Sequence, residues 1–186
     1  MSTTFDPAQL SSQLKGEAEI PPLEKWNPAF CGDLDMRIAA DGRWFYEGSP
    51  IGREAMVRMF ARVLWREGDK YFLKTPVEKV GIQVDDVPFW VTQVEHQVGD
   101  DGPELIFTTS TGDRVRADAE HPIRVETDPK TGEPSPYLMI RFGMEGKLAR
   151  NLFYQLVERA RMIEHGHSAE LVLDSAGEVF SLGKLS

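Results

Sequence analysis

The chain has 186 residues, of which 41% are hydrophobic and 27% are charged, a composition typical of a globular protein and unlike that of a disordered or fibrous one. Acidic residues outnumber basic ones by 30 to 21, and the resulting net charge of −9 argues against a general nucleic-acid-binding protein. The single cysteine, Cys31, excludes an intrachain disulfide and a multi-cysteine metal site. This length predicts one medium domain or two small ones.

The sequence pattern predicts neither export nor membrane insertion. Residues 1–14 include Asp6 and lack a continuous apolar core, unlike a secretory signal. Nowhere does the chain hold the run of about 18 apolar residues that a membrane-spanning helix needs. Together with the unpaired cysteine, these features predict a cytoplasmic protein that binds neither a membrane nor nucleic acid.

Residues 1–20 are predicted to form an N-terminal arm. Asp6 followed by Pro7 and Gln9 is typical of the start of a helix. Pro21-Pro22 then stops any continuation of that helix. The arm docks on the body of the chain or on a second copy of it, and the sequence leaves both open.

A β-hairpin and a helix are predicted next. Asp41-Gly42 supplies the positive φ of a tight turn and lies between the β-prone residues 36–40 and 43–46. Ser49-Pro50 is typical of a helix start, and apolar residues at helical spacing predict a helix of about fifteen residues that ends at Gly68.

The pattern from Tyr71 to Arg141 is that of short strands separated by turns. It predicts an antiparallel meander that curls toward a barrel, with a mobile loop from Asp128 to Pro136. A second helix is predicted from Glu145 to His165, closed by Gly166, and a last hairpin turns at Ser175-Ala176-Gly177. The predicted strands of the meander are residues 71–73, 77–84, 89–98, 105–109, 114–117, 123–126 and 137–141.

The last hairpin resembles the first, because a shift of 135 residues places Gly177 on Gly42 and Phe180 on Phe45. This repeat predicts an α+β fold of two small packed halves with duplicated strand and helix motifs. The expected boundaries are the arm over residues 1–20, a first α+β domain over 21–83 and a second, barrel-like α+β domain over 84–186. Ligands often bind where two such units meet.

The motifs of several large enzyme classes are absent. The sequence has no phosphate-binding loop, dinucleotide-binding glycine motif, nucleophile elbow or zinc-protease helix motif. His165 and His167 are close in sequence but need a third ligand to hold a metal. We therefore expect no metal and no cofactor.

The strand residues Trp44 and Tyr46 share one face, which is either core or a stacking surface for a planar ligand. Arginines are the natural partners of a ligand phosphate. Aromatic and charged residues near the expected junction of the halves are therefore the candidates. The predicted ligand-binding residues are Arg37, Trp44, Tyr46, Arg53, Glu78, Lys79, Tyr137 and Arg141.

Four segments together resemble the bacterial family catalogued as domain of unknown function 1285: D-M-R-I at 35–38, G-R-W-F-Y-E-G-S-P-I at 42–51, T-P-V-E-K-V-G at 75–81 and F-Y-Q-L-V-E at 153–158. The resemblance implies a two-part fold with duplicated motifs and a C-terminal part like a pleckstrin-homology barrel. It also implies a nucleotide-type ligand between the two domains and a role in signal transduction. It implies no catalytic residue.

We therefore expect a non-enzymatic sensor or adaptor of bacterial signalling that binds a small anionic, nucleotide-type ligand between its halves. Two alternatives stay open. One is an enzyme acting on a small phosphorylated or nucleotide substrate, with Glu47, Glu78 and His121 as the proton-transfer groups. The other is a protein-binding module whose acidic surface and N-terminal arm form a homodimer or another partner contact.

Overall fold

The computed structural model describes residues 19–185, which are mostly β-strand. The chain divides into two compact units between Pro88 and Phe89. The helix start predicted at Asp6, and nearly all of the predicted arm, lie outside the described residues.

The first unit contains one six-stranded sheet and one helix. After a 3₁₀ turn at Leu23–Lys25, its elements are β1 (Phe30–Ile38), β2 (Trp44–Tyr46), β3 (Ser49–Pro50), α1 (Glu54–Arg62), β4 (Leu64–Glu67), β5 (Lys70–Lys74) and β6 (Lys79–Val84). The strand order is β3-β2-β1-β6-β5-β4, and β1 and β6 are parallel while all other neighbours are antiparallel.

The hairpin predicted around Asp41-Gly42 is confirmed. The amide of Ala39 donates to the carbonyl of Arg43 at 2.8 Å, and Gly42 has a φ of +88° that favours glycine. β1 and β2 extend from this turn as an antiparallel pair. The hairpin therefore forms where the sequence predicts it, but its loop covers residues 39–43 rather than Asp41-Gly42 alone.

The helix predicted from Ser49-Pro50 to Gly68 is wrong at both ends. Ser49-Pro50 forms β3, and α1 is only nine residues long. The apolar spacing runs past α1 because Leu64, in β4, is buried in the same unit as Phe60 of α1. Gly68 instead forms a two-residue turn with Asp69 between β4 and β5.

One face of the first sheet joins α1 in the core. Trp44 is 3% exposed and its ring stacks on Phe60 of α1, with centroids 6.3 Å apart. Ile38, the register partner of Trp44, is also fully buried. Because side chains alternate across a sheet, a different set of side chains lies on the opposite face. That opposite face holds the candidate site.

The second unit contains a six-stranded sheet, a helix and a three-stranded sheet. Its elements are β7 (Phe89–Gly99), β8 (Gly102–Thr109), β9 (Arg114–Arg116), β10 (Ile123–Thr127), β11 (Pro134–Arg141), β12 (Met144–Leu148), α2 (Arg150–Arg159), β13 (Arg161–His165), β14 (Ser168–Ser175) and β15 (Glu178–Leu185). The six-stranded sheet has the order β10-β11-β12-β7-β8-β9, with β7 and β12 parallel, and the three-stranded sheet has the order β13-β14-β15.

The helix predicted from Glu145 to His165 is also wrong at both ends. The region divides into β12, the ten-residue helix α2, and β13. Gly166, with a φ of +64°, lies in the two-residue turn between β13 and β14 rather than at a helix end. The loop predicted from Asp128 to Pro136 is shorter than expected, since β11 begins at Pro134.

The two units repeat one strand arrangement. Numbered within each unit, both six-stranded sheets have the order 4-5-6-1-2-3, with the first and last strands parallel at the centre. The same backbone hydrogen bond also closes each central strand pair. The residue after the last strand donates to the first strand, from Asp85 N to Ile38 O at 3.0 Å in one unit and from Ala149 N to Val91 O at 2.9 Å in the other. The duplication thus relates β1–β6 to β7–β12.

The repeat seen in the sequence at a shift of 135 residues relates two different hairpins. The β1–β2 hairpin has a five-residue loop over 39–43, whereas the β14–β15 hairpin turns through Ala176-Gly177 alone. The three-stranded sheet lies outside the repeated six-stranded arrangement. The likeness to a pleckstrin-homology barrel stays a prediction.

Ser175, at the end of β14, ties the three-stranded sheet to the six-stranded one. Its hydroxyl accepts a hydrogen bond from Leu105 N at 2.9 Å and donates one to Ala117 O at 2.7 Å. The Ser175 side chain is fully buried. Without this hydroxyl, a buried N–H group and a buried carbonyl would lose their partner.

We expect Ser175→Ala to lower the free energy of unfolding by about 2 kcal/mol, since two buried backbone groups lose a hydrogen bond. Urea denaturation followed by circular dichroism measures this change. Ser181→Ala, at an exposed serine in the neighbouring strand β15, is the matched control and should change it by less than about 0.5 kcal/mol. Equal effects of the two variants would contradict the bridging role.

Candidate functional site

A cavity of the first unit lies on the sheet face opposite Trp44. Its volume is about 660 Å³, within the range of small-molecule sites. β1, β4, β5 and β6 supply its walls. The side chains that give it chemical character are Phe30, Asp33, Glu67, Lys70, Phe72 and Lys79.

Two phenyl rings and a glycine form part of the cavity wall. The rings of Phe30 and Phe72 meet edge to face with centroids 5.9 Å apart, and Phe30 is 56% exposed. Gly81 pairs with Asp33 across the parallel strands. A Cβ at Gly81 would lie 2.3 Å from Asp33 Oδ1, so the glycine makes room for this carboxylate.

Lys79 is held firmly in the wall of the cavity. Its ammonium donates to both carboxylate oxygens of Glu67, at 3.0 and 2.9 Å, and lies 4.9 Å from the ring centroid of Phe72. Glu67 also accepts a hydrogen bond from Trp65 Nε1 at 3.2 Å. The hydrogen bond from Lys79 lowers the pKa of Glu67, which keeps the carboxylate ionised.

A second lysine, Lys74, is buried beside this pair. Its ammonium lies 3.8 Å from the ring centroid of Trp65. Burial lowers the pKa of Lys74, and the charge of Lys79 lowers it further, while Glu67 and Glu24 act in the opposite direction. The negative charge of Glu67 thus interacts with the positive charges of both lysines on this face of the sheet.

Three charged side chains of the cavity are available to a ligand. Within the described residues 19–185, none of Asp33, Asp69 and Lys70 makes a side-chain hydrogen bond or ion pair. Asp33 is an acceptor near Phe30, Asp69 is an acceptor in the turn before β5, and Lys70 is a donor at the start of β5. The cavity can therefore hold a ligand that carries both an anionic group and N–H donors.

Of the residues predicted from sequence, Lys79 lines this cavity. Arg37 forms an ion pair with Asp85 and lies 4.8 Å from the ring centroid of Phe45. Trp44 belongs to the core. Tyr46 is half-buried, and burial raises its pKa.

The other four predicted residues lie apart from the cavity lining. Arg53 is exposed before α1, and the backbone of Glu78 is bonded to Thr75 in the turn before β6. In the second unit, Tyr137 is buried with the guanidinium of Arg124 4.5 Å from its ring centroid. Arg141 binds Asp113 at 3.0 Å. The ligand-binding roles of these residues stay predictions.

Sequence reasoning missed most of the cavity because it placed part of its wall in a helix. Trp65 and Glu67 before the Gly68-Asp69 turn, and Lys70 and Phe72 after it, alternate onto one face of the β4–β5 hairpin. That alternation was the available signal. Phe30 and Asp33 gave no signal, because their partner strand lies about fifty residues along the chain.

The proton-transfer groups of the enzyme alternative are divided between the units. Glu47 and Glu78 belong to the first unit and His121 to the second. His121 Nδ1 lies 2.8 Å from Asp118 Oδ1, which also accepts hydrogen bonds from the backbone amides of Glu120 and His121. Asp118 therefore shapes the turn before β10 in addition to orienting the imidazole.

No metal site is evident in the part of the chain that the structure describes, since no three His, Cys, Asp or Glu side chains there are grouped to hold an ion. Neither α1 nor α2, the two described helices, is long and apolar enough to cross a membrane.

Comparison with known proteins identifies relatives without an assigned activity. Residues 21–87 match the family described as domain of unknown function (DUF1285), N-terminal domain, and residues 88–182 match the C-terminal domain of the same family. No curated protein matches the chain.

Two solved structures are similar to this chain. A DUF1285 family protein from Silicibacter pomeroyi DSS-3 is 46% identical, covers 93% of both chains and has a TM-score of 0.82. A DUF1285 family protein from Shewanella baltica OS155 is 31% identical, covers 66% of this chain and 90% of its own, and has a TM-score of 0.52.

We expect Lys74→Met to remove a pH-dependent component of stability. Because the folded-state pKa of Lys74 lies below its ordinary value of 10.5, the unfolded chain binds more protons just below that pH. The free energy of unfolding of the unmodified protein therefore rises toward pH 10.5 relative to the variant. Urea denaturation at several pH values between neutrality and pH 10.5 measures the difference.

The matched control for Lys74→Met is Lys70→Met, at an exposed lysine of the same strand. Its stability should stay parallel to that of the unmodified protein over the same pH range. Parallel curves for Lys74→Met as well would contradict the account of a buried, destabilised ammonium.

Proposed function

Because the chain belongs to the DUF1285 family of proteins of unknown function, its role has to be inferred from its own residues, and we propose that it is a non-enzymatic, cytoplasmic sensor or adaptor that binds a small nucleotide-type anion. The observation that carries the proposal is the cavity of the first unit, where an exposed phenyl ring and lysines line one space. The signalling role rests on the family resemblance.

The lysines are the partners of the anionic group. Lys79 has three N–H donors, and the two oxygens of Glu67 take two of them, so one donor is left for a phosphate oxygen. Lys70 lines the same cavity and brings a second positive charge. A phosphate here needs no rearrangement of the Glu67–Lys79 pair.

The aromatic ring of Phe30 is the partner of the base. It is more than half exposed at the cavity, and a stacked base gains about 1–3 kcal/mol from such a contact. Asp33, beside Phe30, accepts hydrogen bonds from the N–H groups of a base. Because inorganic phosphate offers neither a ring to Phe30 nor N–H donors to Asp33, these contacts favour a ligand that carries a base.

A ligand-binding role of Tyr137 and Arg141 within the second unit, and a homodimer, also remain proposals. An enzyme is the second candidate, and the observation that favours it is the contact between His121 Nδ1 and Asp118 Oδ1, which orients an imidazole as in general-base pairs. Slow turnover of a bound nucleotide that is lost in His121→Gln would support the enzyme over the sensor.

The test is thermal unfolding of the purified protein with a panel of mononucleotides and cyclic dinucleotides. A ligand at a hundred times its dissociation constant adds about 2.7 kcal/mol of stability. For a chain of this size we expect the Tm to rise by roughly 5–10 °C. A Tm that stays constant across the panel would contradict the proposal.

Variants then locate the site. We expect Lys70→Gln and Lys79→Gln each to weaken binding of the best ligand by about tenfold in titration calorimetry. Lys70→Gln removes no side-chain hydrogen bond or ion pair within the described residues, so it separates binding from folding. Lys130→Gln, at an exposed lysine of the second unit, is the control, and equal affinities in all three variants would place the ligand elsewhere.

A further inference from the structure

The second unit has a cavity of its own on its six-stranded sheet. Its volume is about 240 Å³, which is much smaller than that of the first cavity. β7, β11, β12 and the start of α2 form its walls. The side chains that give it chemical character are Trp90, Glu133, Lys147, Arg150, Phe153 and Tyr154.

The duplication places this cavity on the equivalent face of the repeated sheet. Leu148 pairs with Val91 as Val84 pairs with Ile38, so Lys147 in β12 occupies the position of Gln83 in β6. Gln83 lines the first cavity and Lys147 lines the second. The same sheet face thus forms a cavity in each unit, with different side chains.

The charged groups of the second cavity are predominantly cationic. Lys147 makes no side-chain hydrogen bond or ion pair with any residue from 19 to 185. Arg150 Nη2 donates to Glu133 Oε1 at 2.5 Å, which leaves its other N–H donors for a ligand. Two cations and one carboxylate therefore line the cavity, and the charge balance favours an anion.

Aromatic side chains surround these cations. Trp90 is the register partner of Lys147 across the parallel strands, and Tyr154 on α2 is 55% exposed. Pro134 and Pro136 add flat apolar surface. The small volume suits one ring rather than a nucleoside.

We propose that this second cavity binds a small aromatic carboxylate. Its carboxylate is held by Lys147 and by the planar donors of Arg150, and its ring lies against Trp90 and Tyr154. The two units then bind different ligands on equivalent faces of the repeated sheet. The second site is independent of the nucleotide-type ligand proposed for the first.

Titration calorimetry with phenylacetate tests this proposal, with phenylacetamide as the neutral ligand of the same shape and acetate as the ligand without a ring. Phenylacetate is expected to bind at least about tenfold more tightly than either. Lys147→Gln is expected to weaken phenylacetate binding by about tenfold or more, and Tyr154→Ala, at an exposed residue, should also weaken it.

Lys130→Gln is the control for lost charge and should leave phenylacetate binding unchanged. Circular dichroism of each variant verifies that it is folded. The proposal is overturned if phenylacetamide binds as well as phenylacetate, if neither Lys147→Gln nor Tyr154→Ala weakens binding, or if phenylacetate gives no binding heat at concentrations on the order of 10 mM.

Discussion

The parallel pairing of the first and last strands of each six-stranded sheet is the constraint on which the rest of the molecule depends. β1 with β6, and β7 with β12, lie at the centre of their sheets, so the four strands between them have to fill the two edges. The pairing aligns Asp33 with Gly81 in one unit and Trp90 with Lys147 in the other. Both cavities therefore owe their central residues to contacts between distant parts of the chain.

Short-range chemistry made part of this fold predictable. The Asp41-Gly42 turn follows from the positive φ that a tight hairpin demands, and it forms as expected. The two long helices did not form, because apolar spacing alone cannot distinguish a helix from a helix followed by a buried strand. Leu64 in β4 and Leu148 in β12 are buried in either interpretation. The parallel pairing itself leaves no local pattern in the sequence.

The candidate site was predictable only where a residue type carried its own signal. Lys79 was selected from sequence and lines the first cavity, whereas Phe30 and Lys70 were not selected and line it too. Trp44 was selected as an aromatic residue beside arginines, but its strand alternation places it against α1 in the core. Alternation predicts that the two faces of a strand differ, but it does not show which face is buried in the core. Tertiary packing determines which face is buried.

The most direct test of a ligand site in the first unit is a two-dimensional ¹⁵N–¹H NMR titration of the full chain with GMP. The account predicts amide shift changes concentrated at Phe30, Asp33, Lys70, Lys79 and Gly81, which lie around one cavity on β1, β5 and β6. Amide shift changes confined to other strands, or a spectrum that stays the same as GMP is added, would contradict it.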